Sequence, residues 1–404
     1  MARDREKRLR IVLLSHFPFP YGLAVTNRLI AYARGLAEAG HKVEVLVMKP
    51  TEDEKALLNK ETSGDYLGIK FQYTSGTTLL QRSVQGRIRA SFLGYVRTLQ
   101  LLSAGANRPK ADLVIMVGPQ SFLRTLGLWL FTRVRKISLW QERSEYPFLT
   151  NKPGIRFQLE LFLYLRITCR LLDGMIVITK ALDQYFRKFL RKNVPSYILP
   201  ILVEVDRFSN TEGNRPGYSY LAYCGSMEGE KDGLPDLIRA FHLLAAEFPK
   251  EKLVLIGSTG FDGFAALKQR VVDPGLADRV VFTGRIERDQ LPGWLKGARA
   301  LVLARPANKQ AEGGFPTKLG EYLATGRPVV VTRTGEIPEF LTDMKDAYLA
   351  TPGDPEDVAA KLRLLLSSPE QAERIGKEGL ETARRCFGYK EQAEKMGEFF
   401  TSLK

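Results

Sequence analysis

The sequence predicts an α/β protein built from two doubly wound domains, each a parallel sheet with helices on both faces. Three observations lead to this fold class. The chain has 404 residues, more than one hydrophobic core usually serves, so two domains of about 150–200 residues are expected. Short apolar strands alternate with helical stretches in both halves, which is typical of parallel sheets. The composition is that of a globular protein, with 44% hydrophobic and 26% charged residues.

The first domain is predicted to span residues 1–200. It opens with an apolar strand at residues 10–14 and a helix at residues 25–39. Gly40 follows that helix, and glycine readily adopts the positive φ that ends a helix. Further strands, each beside a helical stretch, are predicted at residues 42–48, 112–117, 137–140 and 174–178.

The second domain, residues 201–388, repeats this plan. A helix is predicted at residues 234–248, and strands are predicted at residues 220–224, 252–256, 279–282, 300–303 and 328–332. Gly257 and Gly284 fall at strand ends, where a ligand can approach the backbone closely. Ligands of doubly wound sheets bind at the carboxyl ends of the strands. No strand follows the final helix, residues 389–404, and we expect it to pack back on the first domain.

Positive charge is concentrated in the amino-terminal half. The chain carries 60 Lys and Arg against 45 Asp and Glu. Residues 1–200 hold 32 of these basic and 15 of these acidic residues, whereas residues 201–404 hold 28 and 30. Such a field attracts anionic membranes, polyanionic substrates or nucleic acid. Two cationic amphipathic segments, residues 82–97 and 126–140, favour an anionic membrane surface. A solvated basic face, or a site for a polyanionic glycan, is the alternative.

Several common sites and signals are absent from the sequence. It contains neither G-x-G-x-x-G nor G-x-x-x-x-G-K-[ST], which disfavours nicotinamide dehydrogenases and P-loop enzymes. Its three cysteines and three histidines show no metal-ligand spacing, and we find no isolated D-x-D, so no metal and no cofactor are expected. It has no run of ~18 apolar residues and no signal-peptide core. We therefore expect a cytoplasmic protein, peripheral on the inner face of the cell membrane.

The most informative segment is residues 312–331, EGGFPTKLGEYLATGRPVVV. Pro316 suits the first turn of a helix, where its missing N–H costs nothing. The free N–H groups and positive dipole end of that helix, at Thr317, favour a bound diphosphate. Glu321 lies about one turn later, where its carboxylate can accept hydrogen bonds from a ribose diol. The segment therefore predicts a site for a nucleotide diphosphate.

This segment resembles the donor-binding signature of glycosyltransferase family 4, a retaining family with the GT-B fold. The resemblance implies two Rossmann-like domains facing each other across a cleft, with the nucleotide-sugar donor on residues 201–388 and the acceptor on residues 1–200. The family commonly has two glutamates separated by seven residues. Glu321 matches the second, and Gly313 stands at the position of the first. Contact with the donor sugar would then come from Glu312, or from the backbone N–H groups of Gly314 and Phe315.

The first loop of the carboxyl-terminal domain also resembles that family. In the family, an arginine and a lysine that follow a glycine hold the diphosphate. Gly225 and Lys231 match the glycine and the lysine, whereas Ser226 stands where the arginine often is. Lys318, beside the predicted helix start, is a candidate for the missing positive charge.

Two further loops resemble the family, and a third departs from it. Residues 281–286, which include Arg285, match the loop that reads the nucleotide base. Gly22 and Ala24 occupy the loop that faces the donor phosphate and the acceptor, and His16 lies near it. Many relatives place a His-Asp pair after a strand of the first domain. The polar groups of this chain in that region are Glu142, Arg143 and Glu145, which we assign to acceptor or sugar contact.

The resemblance implies a retaining hexosyltransferase that uses a UDP- or GDP-linked sugar, and the absence of a metal-ligand pattern predicts that it is metal-independent. Glu321, Lys231, Glu312 and Glu142 are its candidate catalytic residues. The resemblance implies a glycan or lipid-linked acceptor and a role in cell-surface polysaccharide or glycolipid synthesis. The alternative is a non-catalytic nucleotide-sugar or glycan binder of the same fold, which Gly313 and Ser226 leave open. A nucleic-acid protein is disfavoured, because the chain contains no known nucleic-acid-reading module.

Overall fold

The computed structural model describes residues 8–103, 109–118, 121–149, 154–209, 211–214, 216–229, 231–272 and 275–403. The chain divides into two compact units. The amino-terminal unit comprises Met1–Pro200 together with Tyr389–Lys404, and the carboxyl-terminal unit comprises Ile201–Gly388. Each unit contains one sheet with helices between its strands.

In the part of the amino-terminal unit that the structure describes, the sheet has eight strands. They are β1 (Arg10–Ser15), β2 (Lys42–Val47), β3 (Ser63–Tyr66), β4 (Ile69–Tyr73), β5 (Leu113–Val117), β6 (Ser138–Arg143), β7 (Gly174–Val177) and β8 (Ser196–Ile198). Their spatial order is β3-β4-β2-β1-β5-β6-β7-β8. Neighbours are parallel except β3 and β4, which are antiparallel. The order grows outward from β1 in both directions, as in doubly wound sheets.

Among the described residues, six α-helices connect these strands. They are α1 (Ala24–Glu38), α2 (Val84–Leu102), α3 (Phe122–Arg135), α4 (Ile155–Leu163), α5 (Cys169–Leu171) and α6 (Lys180–Arg187), with a 3₁₀ turn at Glu54–Ala56 and a π-helical turn at Tyr164–Thr168. The helix α1 is followed by Gly40, whose φ of +96° is the left-handed value expected there.

The described residues of the carboxyl-terminal unit form a sheet of six strands. They are β9 (Ser219–Cys224), β10 (Glu251–Ile256), β11 (Val280–Gly284), β12 (Ala300–Leu303), β13 (Val329–Thr332) and β14 (Tyr348–Ala350). Their order is β11-β10-β9-β12-β13-β14, and every neighbouring pair is parallel. The carboxyl ends of all six strands therefore lie at one edge of the sheet.

Within the described ranges, nine helices belong to this unit. They are α7 (Asp206–Ser209), α8 (Leu234–Ala245), α9 (Phe264–Val272), α10 (Leu291–Gly297), α11 (Lys309–Gly313), α12 (Thr317–Ala324), α13 (Ile337–Phe340), α14 (Pro355–Ser367) and α15 (Pro369–Phe387). The following helix, α16 (Tyr389–Ser402), belongs to the amino-terminal unit.

The helix α16 packs against α1 and the sheet of the amino-terminal unit. A Cβ on Gly35 would lie 2.3 Å from the Cβ of Ala393, so the helix backbones approach closely. The ring of Phe400 meets the buried indole of Trp140 edge-on at 5.1 Å. The last helix thus closes the amino-terminal core.

The predicted fold class is confirmed. Strands such as β5 (LVIMV) are apolar runs with every residue buried, as expected for parallel strands covered on both faces. The strand predicted at residues 137–140 extends to Arg143, because Gln141, Glu142 and Arg143 are buried despite their polarity. In the described part of the chain, no helix combines the length and apolar character needed to cross a bilayer.

Candidate functional site

Two glycines bring three strand ends of the carboxyl-terminal unit together. Gly225 follows β9, and its N–H donates to the carbonyl of Ile256 at 2.9 Å. Gly257 follows β10, and its N–H donates to the carbonyl of Gly284 at 3.1 Å. A Cβ on Gly257 would lie 2.1 Å from the carbonyl oxygen of Gly225, a distance that no side chain can occupy. The strand ends therefore pack backbone against backbone here, which requires a glycine at residue 257.

The amine of Lys318 lies directly over Gly225. A Cβ on that glycine would meet Nζ at 2.0 Å. The amine donates to the phenol oxygen of Tyr223 at 3.1 Å and to the carboxylate of Asp232. Because Lys318 projects from the first turn of α12, its positive charge adds to that of the helix start.

Burial and pairing shift the pKa values of this ion pair. Burial lowers the pKa of the Lys318 ammonium, and the nearby carboxylate of Asp232 offsets part of that shift. Burial alone would raise the pKa of Asp232. The charge and hydrogen bond of Lys318, together with the hydrogen bond from Tyr223, hold it below its ordinary value. The ammonium of Lys318 and the carboxylate of Asp232 therefore stabilise each other's charged forms.

Glu321 lies one turn after Lys318 on α12. Its Oε1 is 3.2 Å from Nη1 of Arg207, and its side chain is 31% exposed. Burial raises the pKa of the Glu321 carboxyl, while Arg207 and other cations act in the opposite direction. Its charge also reaches Cys224 at the end of β9, whose thiol has its pKa raised to about 12, first by burial and then by Glu321. The carboxylate therefore stands at the strand edge, with part of its surface open.

The hydroxyl of Tyr322 fixes α12 to β9. It accepts a hydrogen bond from the N–H of Cys224 at 2.6 Å and donates to the carbonyl of the same residue at 3.2 Å. Tyr322 is fully buried. These two bonds determine where Lys318 and Glu321 stand relative to the Gly225 loop.

The residues before α12 form a buried connection. Gly313 ends α11, and Gly314, Phe315 and Pro316 are buried after it. The ring of Phe315 packs at 5.4 Å from Phe340 and 5.6 Å from Phe387. The helix begins at Thr317, one residue after the predicted start.

Other predicted donor residues lie around this group and are more exposed. Glu312 points from α11 to Lys309, with 2.6 Å between its Oε2 and the lysine Nζ. Ser226 is exposed, and its hydroxyl accepts from the N–H of Glu228 at 3.3 Å. Lys231 and Arg285 are exposed in the loops before α8 and after β11. Groups of three His, Cys, Asp or Glu placed to hold a metal are not found among the described residues.

Comparison with known proteins identifies this unit. The family described as "Glycosyl transferases group 1" matches residues 219–368, which include every strand and most of the site described above. The carboxyl-terminal unit is a group 1 glycosyl transferase domain. The resemblance predicted from the sequence is confirmed.

Curated relatives match about half of the chain. The GDP-mannose-dependent alpha-(1-6)-phosphatidylinositol monomannoside mannosyltransferase of Mycolicibacterium smegmatis is 27% identical over 219 residues, 50% of this chain and 55% of that protein. The D-inositol 3-phosphate glycosyltransferase of Streptomyces avermitilis is 27% identical over 217 residues, 50% of this chain and 45% of that protein. The chain spans about half the length of these relatives.

Solved structures match nearly the whole chain and show that it has the GT-B fold. The sucrose-phosphate synthase of Thermosynechococcus elongatus superposes with a TM-score of 0.74 at 17% identity, covering 98% of this chain and 99% of that one. Anabaena HepE in complex with UDP and glucose superposes with a TM-score of 0.72 at 16% identity, covering 98% and 100%.

The predicted residues of the amino-terminal GT-B unit lie at the end of β6 and in the segments that follow β1 and β6. Glu142 and Arg143 end β6 and are buried. Nε of Arg28 lies 2.8 Å from Oε1 of Glu142, and the same guanidinium donates to the carbonyls of Leu199 and Pro200 at 2.7 and 2.6 Å. Glu142 is thus one half of a buried ion pair.

The other predicted residues of this unit lie in loops at the carboxyl ends of strands. Arg143 stacks over the ring of Tyr164 at 5.4 Å, and Glu145 follows it half-buried. His16 comes directly after β1, while Gly22 packs against the side chain of Thr26 and the exposed Ala24 begins α1. All lie at the same edge of the parallel sheet.

Four residues that complete these groups were not predicted as site residues. They are Arg207, Asp232 and Tyr223 in the group 1 unit and Arg28 in the other. The sequence held a partial signal for Asp232, which is adjacent to the predicted Lys231.

Proposed function

We propose that the chain is a retaining, metal-independent glycosyltransferase that transfers a sugar from a nucleotide diphosphate donor. The observation that carries this proposal is the position of the Lys318 amine over Gly225, with Glu321 one turn further along α12. A diphosphate needs positive charge and free N–H groups, which the start of α12 and Lys318 supply. The ribose diol next to that diphosphate needs a hydrogen-bond acceptor, which Glu321 supplies.

Each residue has a role in the proposed reaction. The diphosphate displaces Asp232 from the Lys318 amine and rests against Gly225 and the helix start, with Lys231 as a second cation. Glu321 accepts hydrogen bonds from the ribose diol. As the glycosidic bond breaks, negative charge grows on the leaving diphosphate, and these fixed positive groups stabilise it more than they stabilise the donor.

Retention would follow from attack on the same face that the diphosphate leaves, with a phosphate oxygen taking the proton of the acceptor hydroxyl. Glu312 and the backbone N–H groups of Gly314 and Phe315 are the candidate contacts to the donor sugar. On the amino-terminal unit, Arg143 and Glu145 are candidate acceptor contacts, as are His16 and the loop of Gly22 and Ala24. Glu142 would act there through its ion pair with Arg28.

The donor is a UDP- or GDP-linked hexose, and the acceptor is a glycan or a lipid-linked glycan of the cell surface. Relatives named as mannosyltransferases of phosphatidylinositol mannoside favour GDP-mannose and a lipid acceptor. The solved HepE complex with UDP-glucose favours UDP. The excess of basic residues in the amino-terminal half favours a position at the inner face of the membrane.

The decisive experiment measures thermal unfolding of the wild type with UDP, GDP and ADP, followed by donor hydrolysis and sugar transfer with the stabilising nucleotide. A ligand at 100 times its dissociation constant adds about 2.7 kcal/mol of stability. Lys318→Met should abolish that gain. Lys377→Met, an exposed lysine of α15 paired with Glu373, is the matched control and should keep it.

The outcomes separate the proposal from its alternative. Transfer that persists in EDTA, with the anomeric configuration of the donor kept in the product by NMR, supports the full proposal. Stabilisation by a nucleotide without hydrolysis or transfer would instead support the non-catalytic binder. If none of the three nucleotides stabilises the wild type, the assignment of these residues to a donor site is wrong.

A further inference from the structure

The helix α4 exposes apolar residues along one of its sides. Its sequence is IRFQLELFL, and all nine residues are half-buried or exposed. Ile155, Leu159 and Phe162 are 89%, 58% and 58% exposed. Their spacing of four and three residues places them on one side of the helix. An exposed apolar face of this kind is typical of a surface that meets a partner.

The neighbouring helices extend the same apolar surface. On α2, Val84, Ile88 and Phe92 are exposed at a spacing of four residues. On α3, Leu123, Leu130 and Val134 are exposed. We call the exposed sides of α2, α3 and α4 the apolar helix face.

Sheet topology places these helices together. The connections from β4 to β5, β5 to β6 and β6 to β7 all run in the same direction across the sheet, so right-handed crossovers put α2, α3 and α4 on one side. The connection from β1 to β2 runs the other way and puts α1 on the opposite side. Direct contacts agree, since the phenol of Tyr95 on α2 donates to the carbonyl of Arg124 on α3 at 3.4 Å. The helix α3 also contacts the π-helical turn that continues α4.

The charges on these helices are almost all positive. From α2, α3 and α4 through the π-helical turn and α5, the chain contains nine arginines and one acidic residue, Glu160. Exposed arginines such as Arg87 and Arg89 adjoin Ile88, and Arg156 adjoins Ile155. Exposed apolar side chains bordered by cations are the pattern of a protein surface that lies on an anionic bilayer.

We infer that the apolar helix face docks on the surface of an anionic lipid bilayer, with Ile155, Leu159 and Phe162 inserted among the acyl chains and the arginines against the headgroups. A second copy of the chain is a poorer partner, because a two-fold interface would set the arginines of both copies against each other. This inference deepens the membrane position included in the proposed function. It requires no catalysis, so it can be tested apart from sugar transfer.

The test is flotation of the full-length chain with vesicles of phosphatidylcholine alone or mixed equally with phosphatidylglycerol. We expect binding to the anionic vesicles only, weakened by salt. The variant Ile155→Ser/Leu159→Gln/Phe162→Gln should lose at least about tenfold in partitioning, because each apolar side chain contributes to insertion. The variant Arg87→Gln/Arg89→Gln/Arg156→Gln should lose about a hundredfold at low salt, since each cation near the surface contributes about one kcal/mol.

The matched control changes exposed apolar residues of the other unit. Leu243→Gln/Leu364→Gln removes side chains that are 47% and 49% exposed and should partition as the wild type does. Equal binding to both vesicle types, or unchanged partitioning of the α4 variant, would overturn the inference. So would a wild-type dimer in analytical ultracentrifugation that the α4 variant converts to a monomer. Stabilisation by a nucleoside diphosphate should persist in the α4 variant, which separates this result from failure of the donor site.

Discussion

Nη1 of Arg207 lies 3.2 Å from Oε1 of Glu321, and the same guanidinium donates to the carbonyl of Arg288. Arg207 belongs to α7 and Glu321 to α12, so the bond joins residues 114 positions apart. A carboxylate held by one arginine on one oxygen keeps hydrogen-bonding capacity on the other. The arrangement therefore orients Glu321 while leaving it able to bind a ribose.

Glu321→Gln should lower kcat/KM for sugar transfer by about 10- to 150-fold, the equivalent of the roughly 1.5–3 kcal/mol of a hydrogen bond to a charged group. The folded structure should persist, because glutamine can still accept from Arg207. Steady-state kinetics with the donor varied would measure the change. Glu373→Gln, which alters an exposed carboxylate of α15, is the control. A loss below twofold in Glu321→Gln would contradict the assigned role.

Two carboxylates of this site should affect stability in opposite directions. Glu321 has a raised pKa, so the folded state holds its proton more tightly than the unfolded state. Its ionisation therefore lowers stability as pH rises above its ordinary value of 4.5. Asp232 has a lowered pKa, so its contribution to stability is present above its ordinary value of 3.8 and is lost as pH falls through the folded value.

Urea unfolding between pH 4.5 and 7.5 tests these signs. Glu321→Gln should gain stability relative to the wild type as pH rises through this range. Asp232→Asn should be less stable by about 3–5 kcal/mol, because it leaves the buried Lys318 without its counter-ion. That loss should stay nearly constant over the range, since Asp232 is ionised throughout. A Glu321→Gln difference that is flat with pH would show that the carboxyl has no raised pKa.

Because Gly257 packs against the backbone of Gly225, an alanine should cost more stability at residue 257 than at residue 260. Gly257→Ala should destabilise the chain by about 1–3 kcal/mol, because its Cβ meets the carbonyl of Gly225 and the backbone must shift. Nucleotide stabilisation should also fall, since the shift displaces the Gly225 loop. Gly260→Ala is the control, because its nearest neighbour, Oγ of Ser258, is 3.9 Å from the new Cβ. Thermal unfolding with and without nucleotide compares both variants.

The sequence predicted what local pattern determines. The segments of β1, β5, β9 and β12 were predicted as strands from their apolar runs, because parallel strands covered on both faces need continuous hydrophobicity. The start of α12 was predicted to within one residue, since Pro316 marks a first turn. The exposed edge strand β3 (SGDY) and the three-residue strand β14 were not predicted, because short or half-polar strands have no distinctive periodicity.

Partners distant in sequence could not be predicted in this way. Lys318 meets Asp232 across 86 residues, and Arg28 meets Glu142 across 114. Such pairs depend on how the strands are ordered in the sheet, which a single sequence does not specify. For the same reason the end of β6 was missed, because Gln141, Glu142 and Arg143 read as a polar loop until their buried partners are known.

The last helix of the chain should be an integral part of the amino-terminal core. The indole of Trp140 on β6 is 1% exposed and meets the rings of Phe399 and Phe400 edge-on at 5.9 and 5.1 Å. Phe400→Ala removes a buried ring and should cost about 3–5 kcal/mol. It should also shift the fluorescence of Trp140 to the red, because water then reaches the indole.

Leu403→Ala provides the comparison for this prediction. Leu403 follows α16 and is exposed, so its truncation should change stability by less than about 0.5 kcal/mol. Urea unfolding followed by tryptophan fluorescence measures both variants, and Trp140→Phe identifies which part of the signal comes from that indole. Equal stability of Phe400→Ala and Leu403→Ala would mean that α16 is dispensable. A large loss of unfolding free energy in Phe400→Ala alone would mean that the amino-terminal unit needs α16 for its stability. Deletion of residues 389–404 should then destabilise the amino-terminal unit rather than the carboxyl-terminal unit.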